Sequence, residues 1–252
     1  MIRPDEGWKL TPVDYVVGRN AVHVWRAFFQ PAVLYDKKFI GGLSEEEARR
    51  AERFVRQSDR DRYMFAHVVL RWLLGAYLGC PPQQLVLEND PYGKPLLESP
   101  RDDNDIQFSL SHSEDMTLLA IARGTRVGVD VEYMRSVPDA RQIVNSLFSI
   151  NERRLLNPLQ PPDFDKEFFD YWTSKEAFIK GIGKGLSYAL DNFSVMFTSR
   201  ESDGLIRVHD DATHACHWKI VRIPPAPGYS AALAVEGPNS QLKFFNLDLD
   251  LA

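Results

Sequence analysis

The sequence predicts an α+β protein built on antiparallel sheets. Three observations carry that expectation. Strand-like runs over 106–113, 116–123 and 127–132 follow one another across short turns, a spacing that makes local hairpins rather than helix-linked crossovers. Two stretches, 59–78 and 165–180, place apolar residues at helical spacing, and further strand-like runs follow the second. Apolar residues make up 44% of the 252-residue chain and charged residues 26%, enough for a core and too apolar for a disordered chain.

In chain order, residues 21–29, AVHVWRAFF, read as a strand with Val22, Val24 and Arg26 on one face. Ser44 with Glu47 three residues on is a capping-box pattern, and it opens a helix rich in arginine: Arg49, Arg50, Arg53 and Arg56. Asp59 is the expected cap of the next helix. It carries Ala66, Val69, Leu70, Leu73 and Tyr77 at helical spacing and stops at Gly79 and Pro81–Pro82. NDPYGKPLL, 89–97, is rich in turn residues. An acidic loop, RDDND at 101–105, leads into IQFSLSHS and MTLLAIAR, and GTR turns the chain into VGVDVE. Residues 140–156 read as one helix, the prolines at 158, 161 and 162 break the chain, and a new helix runs from Asp165 to Lys180. Strands are expected near 192–198, 205–209, 216–223 and 229–235, with IPPAPG as the turn between the last two, while 237–252 is weakly patterned. There is no low-complexity tract and no evident internal repeat.

The net charge of −5 and a pI near 5.7 argue against a nucleic-acid partner, which calls for a basic face. Cys80 and Cys216 lie far apart in unrelated surroundings and read as thiols of a reducing compartment. MIRPDEGWKL has acids and a proline where a signal peptide needs an apolar run, and VVLRWLLGAYLG is interrupted by Arg71 and too short to span a bilayer. The expectation is a soluble, cytoplasmic protein with no membrane partner.

Chemistry concentrates in a few places. In GVDVE, Val127, Val129 and Val131 share one face and Asp130 and Glu132 the other. Two adjacent carboxylates repel and need open solvent or a cation, so this is either a solvated strand end or a site for a hard ion such as Mg2+. In WTSKEAFIKGIGKGL, 172–186, Thr173, Glu176 and Lys180 fall within about 60° of one another on a helix. Aromatic residues cover the far side, and Lys175 emerges among them. Glu176 and Lys180 are either an ordinary surface pair or charges facing a cleft; in the second case Glu176 could join Asp130 and Glu132 around one metal, with Lys180 beside a phosphate. The glycines at 181, 183 and 185 lack P-loop spacing and read as a helix C-cap and a reversal. His112 and Ser111 in FSLSHS and Lys94 in YGKP could each bond a phosphate or be plain structural residues. His209, His214, Cys216 and His217 match no common zinc spacing.

The order of these motifs is more specific than any of them. YGKP, then FSLSHS, then GVDVE, then WTSKEAFIKGIGKGL, spanning Tyr92 to Leu186, resembles the 4′-phosphopantetheinyl transferases, in particular the larger two-half subfamily of surfactin-synthetase-activating type. The resemblance implies two similar α/β halves, 1–122 and 123–252, with the active site at their interface, in a chain that acts as a monomer. It implies Mg2+-dependent transfer of the phosphopantetheine arm of coenzyme A to a serine of an apo acyl or peptidyl carrier protein, with adenosine 3′,5′-bisphosphate as the other product. By the same resemblance Asp130, Glu132 and Glu176 hold the metal and Glu176 takes the serine proton. Lys180 serves the departing phosphate. Arg50, Arg53, Arg62, Gly93, Lys94, Pro95, Ser111, His112 and Lys175 contact coenzyme A. Glu47 departs from the pattern, standing where some relatives have lysine. The alternatives are a non-catalytic protein of the same fold that binds coenzyme A or a carrier domain, and an unrelated Mg2+-dependent phosphate hydrolase.

Overall fold

Alternation along the strands decides how the layers stack. The computed structural model describes residues 7–9, 14–98, 105–185, 188–197, 203–208, 217–237, 240–247 and 249. In chain order these form β1 (Trp8–Lys9), β2 (Ala21–Phe28), α1 (Lys37–Ile40), α2 (Glu45–Ala51), α3 (Gln57–Leu78), β3 (Leu87–Asn89), β4 (Pro95–Leu97), β5 (Ile106–Ser113), β6 (Met116–Arg123) and β7 (Val127–Tyr133). There follow α4 (Ala140–Leu147), α5 (Ile150–Leu156), α6 (Asp163–Ile182), β8 (Phe193–Phe197), β9 (Asp203–Val208), β10 (Trp218–Ile223), β11 (Tyr229–Glu236) and β12 (Gln241–Asn246).

Two five-stranded sheets result. The first has the order β1-β12-β2-β6-β5 and the second, antiparallel throughout, β7-β11-β10-β9-β8; β3 and β4 form a separate hairpin. Val22 and Val24 of β2, with Met116, Leu118 and Ala120 of β6, meet Val127, Val129 and Val131 of β7 and Leu233 of β11 in one apolar layer between the sheets. The opposite faces are covered by the two long helices. Trp25, Leu119 and Ile121 pack with Phe65, Val69 and Leu73 of α3, and Ile220, Ala232 and Ala234 pack with Ala177 and Phe178 of α6. Each fully buried Val, Leu, Ile, Phe or Met among them contributes about 1.5–3 kcal/mol relative to exposure. The expected α+β class and the two similar halves, each a sheet backed by a helix, are therefore present.

Local signals account for most boundaries. Ser44 and Glu47 form the complete capping box of α2. Gly79 ends α3 in the left-handed conformation, with φ 64°. Three expectations need correction. Asp59 lies in the first turn of α3 rather than at its cap, which is Arg56. The helix expected over 140–156 is two, because Ser149 caps α5 through a second capping box with Glu152. The tail contains β12, which pairs in parallel with β2 and carries Phe245 into the first core. The expected division at 122/123 falls at the end of β6, yet β12 belongs to the sheet on the other side of it. His209, His214 and Cys216, and RDDND apart from Asp105, lie outside the described residues. Among the described residues no helix is long and apolar enough to cross a membrane.

β5 and β7, edge strands of different sheets, lie side by side. What joins them is a row of serines. Ser109 Oγ accepts from Val129 N–H at 3.0 Å, Ser111 Oγ from Val131 N–H at 3.4 Å and Ser113 Oγ from Tyr133 N–H at 3.1 Å. Residues two apart share a face of a strand, so the alternating serines of FSLSHS are the ones that reach across.

Candidate functional site

The site is assembled where β5, β7 and α6 meet. Since Val127, Val129 and Val131 occupy the inter-sheet layer, Gly128, Asp130 and Glu132 point toward α6. The helix can come close because position 128 has no side chain: a Cβ there would stand 1.9 Å from Ala177 O. Asp163 and Asp165 favour the N-terminal turn of α6, and Gly183, at φ 67°, ends it by donating its N–H to Ile179 O at 3.0 Å.

Lys180 is the hub. Its Nζ lies 2.7 Å from Asp130 Oδ1 and 2.8 Å from Ser111 Oγ. The Ser111 hydroxyl is 2.9 Å from the same Asp130 oxygen, and Ser113 donates to Glu132 Oε2 at 2.8 Å. Glu176 and Lys180 line a cleft of about 280 Å³ with Tyr92, Gly93, Lys94 and Pro95 of the β3–β4 turn. Asp90 builds that turn: its Oδ1 accepts from Tyr92 N–H at 2.8 Å and Lys94 N–H at 2.9 Å, and Gly93 adopts φ 87°. Lys94 Nζ donates to Lys180 O at 2.7 Å, tying the turn to the end of α6.

Burial, then the charge of Asp130 and to a lesser degree that of Glu132, push the Glu176 carboxyl up to about 7 against the opposing pull of Lys180. Burial and Asp130 likewise raise Glu132 above the usual carboxylate range. Lys94 is pushed down to about 8 by burial, with Arg126 and Lys180 adding to the effect and Asp90 opposing it. His112 is exposed, yet desolvation by the surrounding protein, with His67, Lys180 and Arg62 nearby, lowers its pKa below the usual histidine range.

The acids suit a hard divalent cation. Asp130 Oδ2 and Glu176 Oε1 are buried and accept no hydrogen bond, and hard carboxylate oxygens are donors that Mg2+ takes alongside waters and phosphates. The three carboxylates are neighbours rather than a converged ligand set. Among the described residues no three His, Cys, Asp or Glu side chains stand close enough to hold an ion.

The other expected residues divide. Arg50 lies beside a cavity of about 20 Å³ that Tyr63, His67 and Glu47 also line, its guanidinium 5.9 Å from the Tyr63 ring centroid. Arg62 reaches the β5–β6 turn, paired with Glu114 at 2.8 Å and Asp115 at 3.0 Å. Arg53 is exposed after α2.

Lys175 does not belong to the site. It is 0% exposed and bonds Leu190 O at 2.8 Å, Phe193 O at 2.9 Å and Glu152 Oε2 at 2.8 Å, deep in the core of the second half. Its ammonium is consumed there, so the expected coenzyme A contact is withdrawn. Thr173 also leaves the expected stripe: it is fully buried and donates to Phe169 O at 2.9 Å within its own helix. Of the three glycines, Gly183 and Gly185 line the cleft and Gly183 leaves room there, but Gly181 and Gly185 are closely packed. A Cβ at Gly181 would meet the Trp218 ring at 2.6 Å, and one at Gly185 would meet Tyr92 Cβ at 2.6 Å.

Sequence reasoning missed Asp90, Ser113, His67 and the structural role of Glu47. His67 Nδ1 and Arg71 Nε hold the Glu47 carboxylate at 3.0 and 2.6 Å. Burial alone would raise its pKa, but these partners and the Ser44 N–H hold it at about 2. A signal was available, since His67 and Arg71 are four apart and share one helix face.

Comparison with known proteins agrees in both halves. The family model for the 4′-phosphopantetheinyl transferase superfamily matches residues 126–234, and that for the 4′-phosphopantetheinyl transferase N-terminal region matches 34–123. The chain is 30% identical over 239 residues to the 4′-phosphopantetheinyl transferase HetI of Nostoc sp., covering 95% of this chain and 98% of that one. It is 27% identical over 205 residues to the 4′-phosphopantetheinyl transferase Sfp of Bacillus subtilis, covering 81% and 87%, and 30% identical over 196 residues to psf-1 of Bacillus pumilus, covering 78% and 80%.

Proposed function

The chain belongs to the 4′-phosphopantetheinyl transferase superfamily, and on that premise we propose that it moves the 4′-phosphopantetheine arm of coenzyme A onto a serine of an apo acyl or peptidyl carrier protein, in the cytoplasm, as a Mg2+-dependent monomer. The observation that carries this reading is the grouping of Asp130, Glu132, Glu176 and Lys180 beside a cleft roomy enough for a flexible arm.

In this mechanism the carrier serine oxygen attacks the phosphorus that bears pantetheine. The bond from that phosphorus to the bridging oxygen breaks, and adenosine 3′,5′-bisphosphate departs. Glu176, the carboxylate that lines the cleft beside Lys180, takes the serine proton. Lys180, steered by Asp130 and Ser111, neutralises the oxygen left on the leaving phosphate. Lys94, Gly93 and Pro95 in the turn and His112 on β5 hold the phosphates, with Arg50, Arg53 and Arg62 as the further basic contacts; arginine suits phosphate through its planar fork of donors. Asp130, Glu132 and Glu176 would hold Mg2+, which when bound withdraws charge from the pyrophosphate.

The test is direct. The protein is incubated with coenzyme A, Mg2+ and several apo carrier proteins, and the intact mass of each carrier is recorded. Gain of one phosphopantetheine on any carrier supports transfer. No gain on all of them, with coenzyme A still bound, would favour the non-catalytic alternative.

A further inference from the structure

Three serines bridge β5 to β7, and they are not equivalent. Ser109 and Ser113 each accept one N–H from β7, at 3.0 and 3.1 Å, so as links between the strands they match. Ser113 differs in one respect: its hydroxyl hydrogen is given to Glu132 Oε2 at 2.8 Å. A hydroxyl has one hydrogen to give and two lone pairs. With a lone pair fixed by Tyr133 N–H, the direction of that hydrogen is set by the strand, and so is the carboxylate oxygen it selects. Glu132 is otherwise a flexible side chain, half-buried at the end of β7.

We propose that Ser113 is a positioning residue for the cation site: by occupying Glu132 Oε2 it turns Oε1 toward Asp130 and Glu176 and reduces the freedom the carboxylate loses when an ion binds. The hydroxyl comes from the first half of the chain and the carboxylate from the second, so one half orients a ligand carried by the other. Partners that orient a ligating carboxylate change metal affinity by about 10–100-fold when removed. The inference rests on the reading that Asp130, Glu132 and Glu176 bind a divalent cation.

The experiment measures Mg2+ binding to the intact protein by calorimetry and Mn2+ binding by electron paramagnetic resonance, without coenzyme A or carrier. Ser113→Ala should weaken binding at least tenfold, whereas Ser109→Ala, which removes an equivalent link without touching a carboxylate, should stay within about twofold of wild type. Ser113→Thr should restore affinity and Ser113→Val should not. That pair is matched in shape and differs only in the hydroxyl, so it carries the comparison even if the alanine variant folds poorly. Equal weakening by Ser109→Ala and Ser113→Ala would overturn the proposal in favour of simple strand alignment, and unchanged affinity in Ser113→Val would overturn it outright. If the wild type binds neither ion, the cation site itself is wrong.

Discussion

Gly128 of β7 and Gly181 of α6 lie backbone against backbone: a Cβ added to Gly128 would come within 2.4 Å of Gly181 N as well as 1.9 Å of Ala177 O. Two bare residues therefore set the separation between the strand carrying Asp130 and the helix carrying Glu176 and Lys180. Gly128→Ala should push them apart. Overpacking costs about 1–3 kcal/mol. The expected result is an unfolding midpoint lowered accordingly in urea, and transfer reduced more than coenzyme A binding, because the carboxylates and Lys180 no longer meet. A variant with wild-type midpoint and rate would show that the contact is slack.

The raised Glu176 pKa makes the metal-free protein less stable as pH rises. A carboxyl that holds its proton up to about 7 when folded, but loses it near the ordinary glutamate value when unfolded, binds more protons in the native state across that window. Its stabilising effect is complete below the unfolded value and gone above about 7, at about 1.4 kcal/mol per pH unit. Thermal melts of metal-free protein between pH 5 and 8 should fall more steeply for wild type than for Glu176→Gln. Parallel curves would remove Glu176 from that role.

Lys94 gives a pH dependence in binding. Its ammonium is held down to about 8, so the free protein loses that charge as pH passes through about 8. kcat/KM for coenzyme A should decline there, and Lys94→Met should lower the plateau and abolish the decline. Persistence of the same decline in Lys94→Met would assign it to another group.

Lys175 predicts a stability defect without a binding defect. Removing one partner of a buried ion pair costs about 3–5 kcal/mol, because the other charge stays unpaired. Lys175→Met should destabilise the fold on that scale by stranding Glu152, while the folded fraction keeps its coenzyme A KM. A raised KM would restore Lys175 to the binding site.

How much of this was legible depended on the range of the interactions. β5, β6 and β7 were readable because period-two alternation and short turns are local, and the same alternation assigned Asp130 and Glu132 to one face. Lys175 was misread because its partner, Glu152, lies on another helix, and a lysine among aromatics looks alike whether it faces a phosphate or a buried acid. The break at Ser149 was missed because Ser and Glu three apart also occur inside helices. β12 was missed because a parallel partner leaves no hairpin signature, and QLKFFN does not alternate cleanly. Ser113 escaped because the pairing of β5 with β7 belongs to tertiary structure alone.

β12 has a consequence for how the molecule comes into being. Gln241–Asn246 lies between β1 and β2, so this sheet gains its inner strand from residues 220 positions beyond the strand it pairs with. During synthesis, which delivers the amino-terminal part first, α3 and β2 must wait on the ribosome with one edge of β2 bare until the second half has emerged. The first half is then completed last, and a gene cut after β6 would express a sheet with its edge unprotected, prone to pair with other chains.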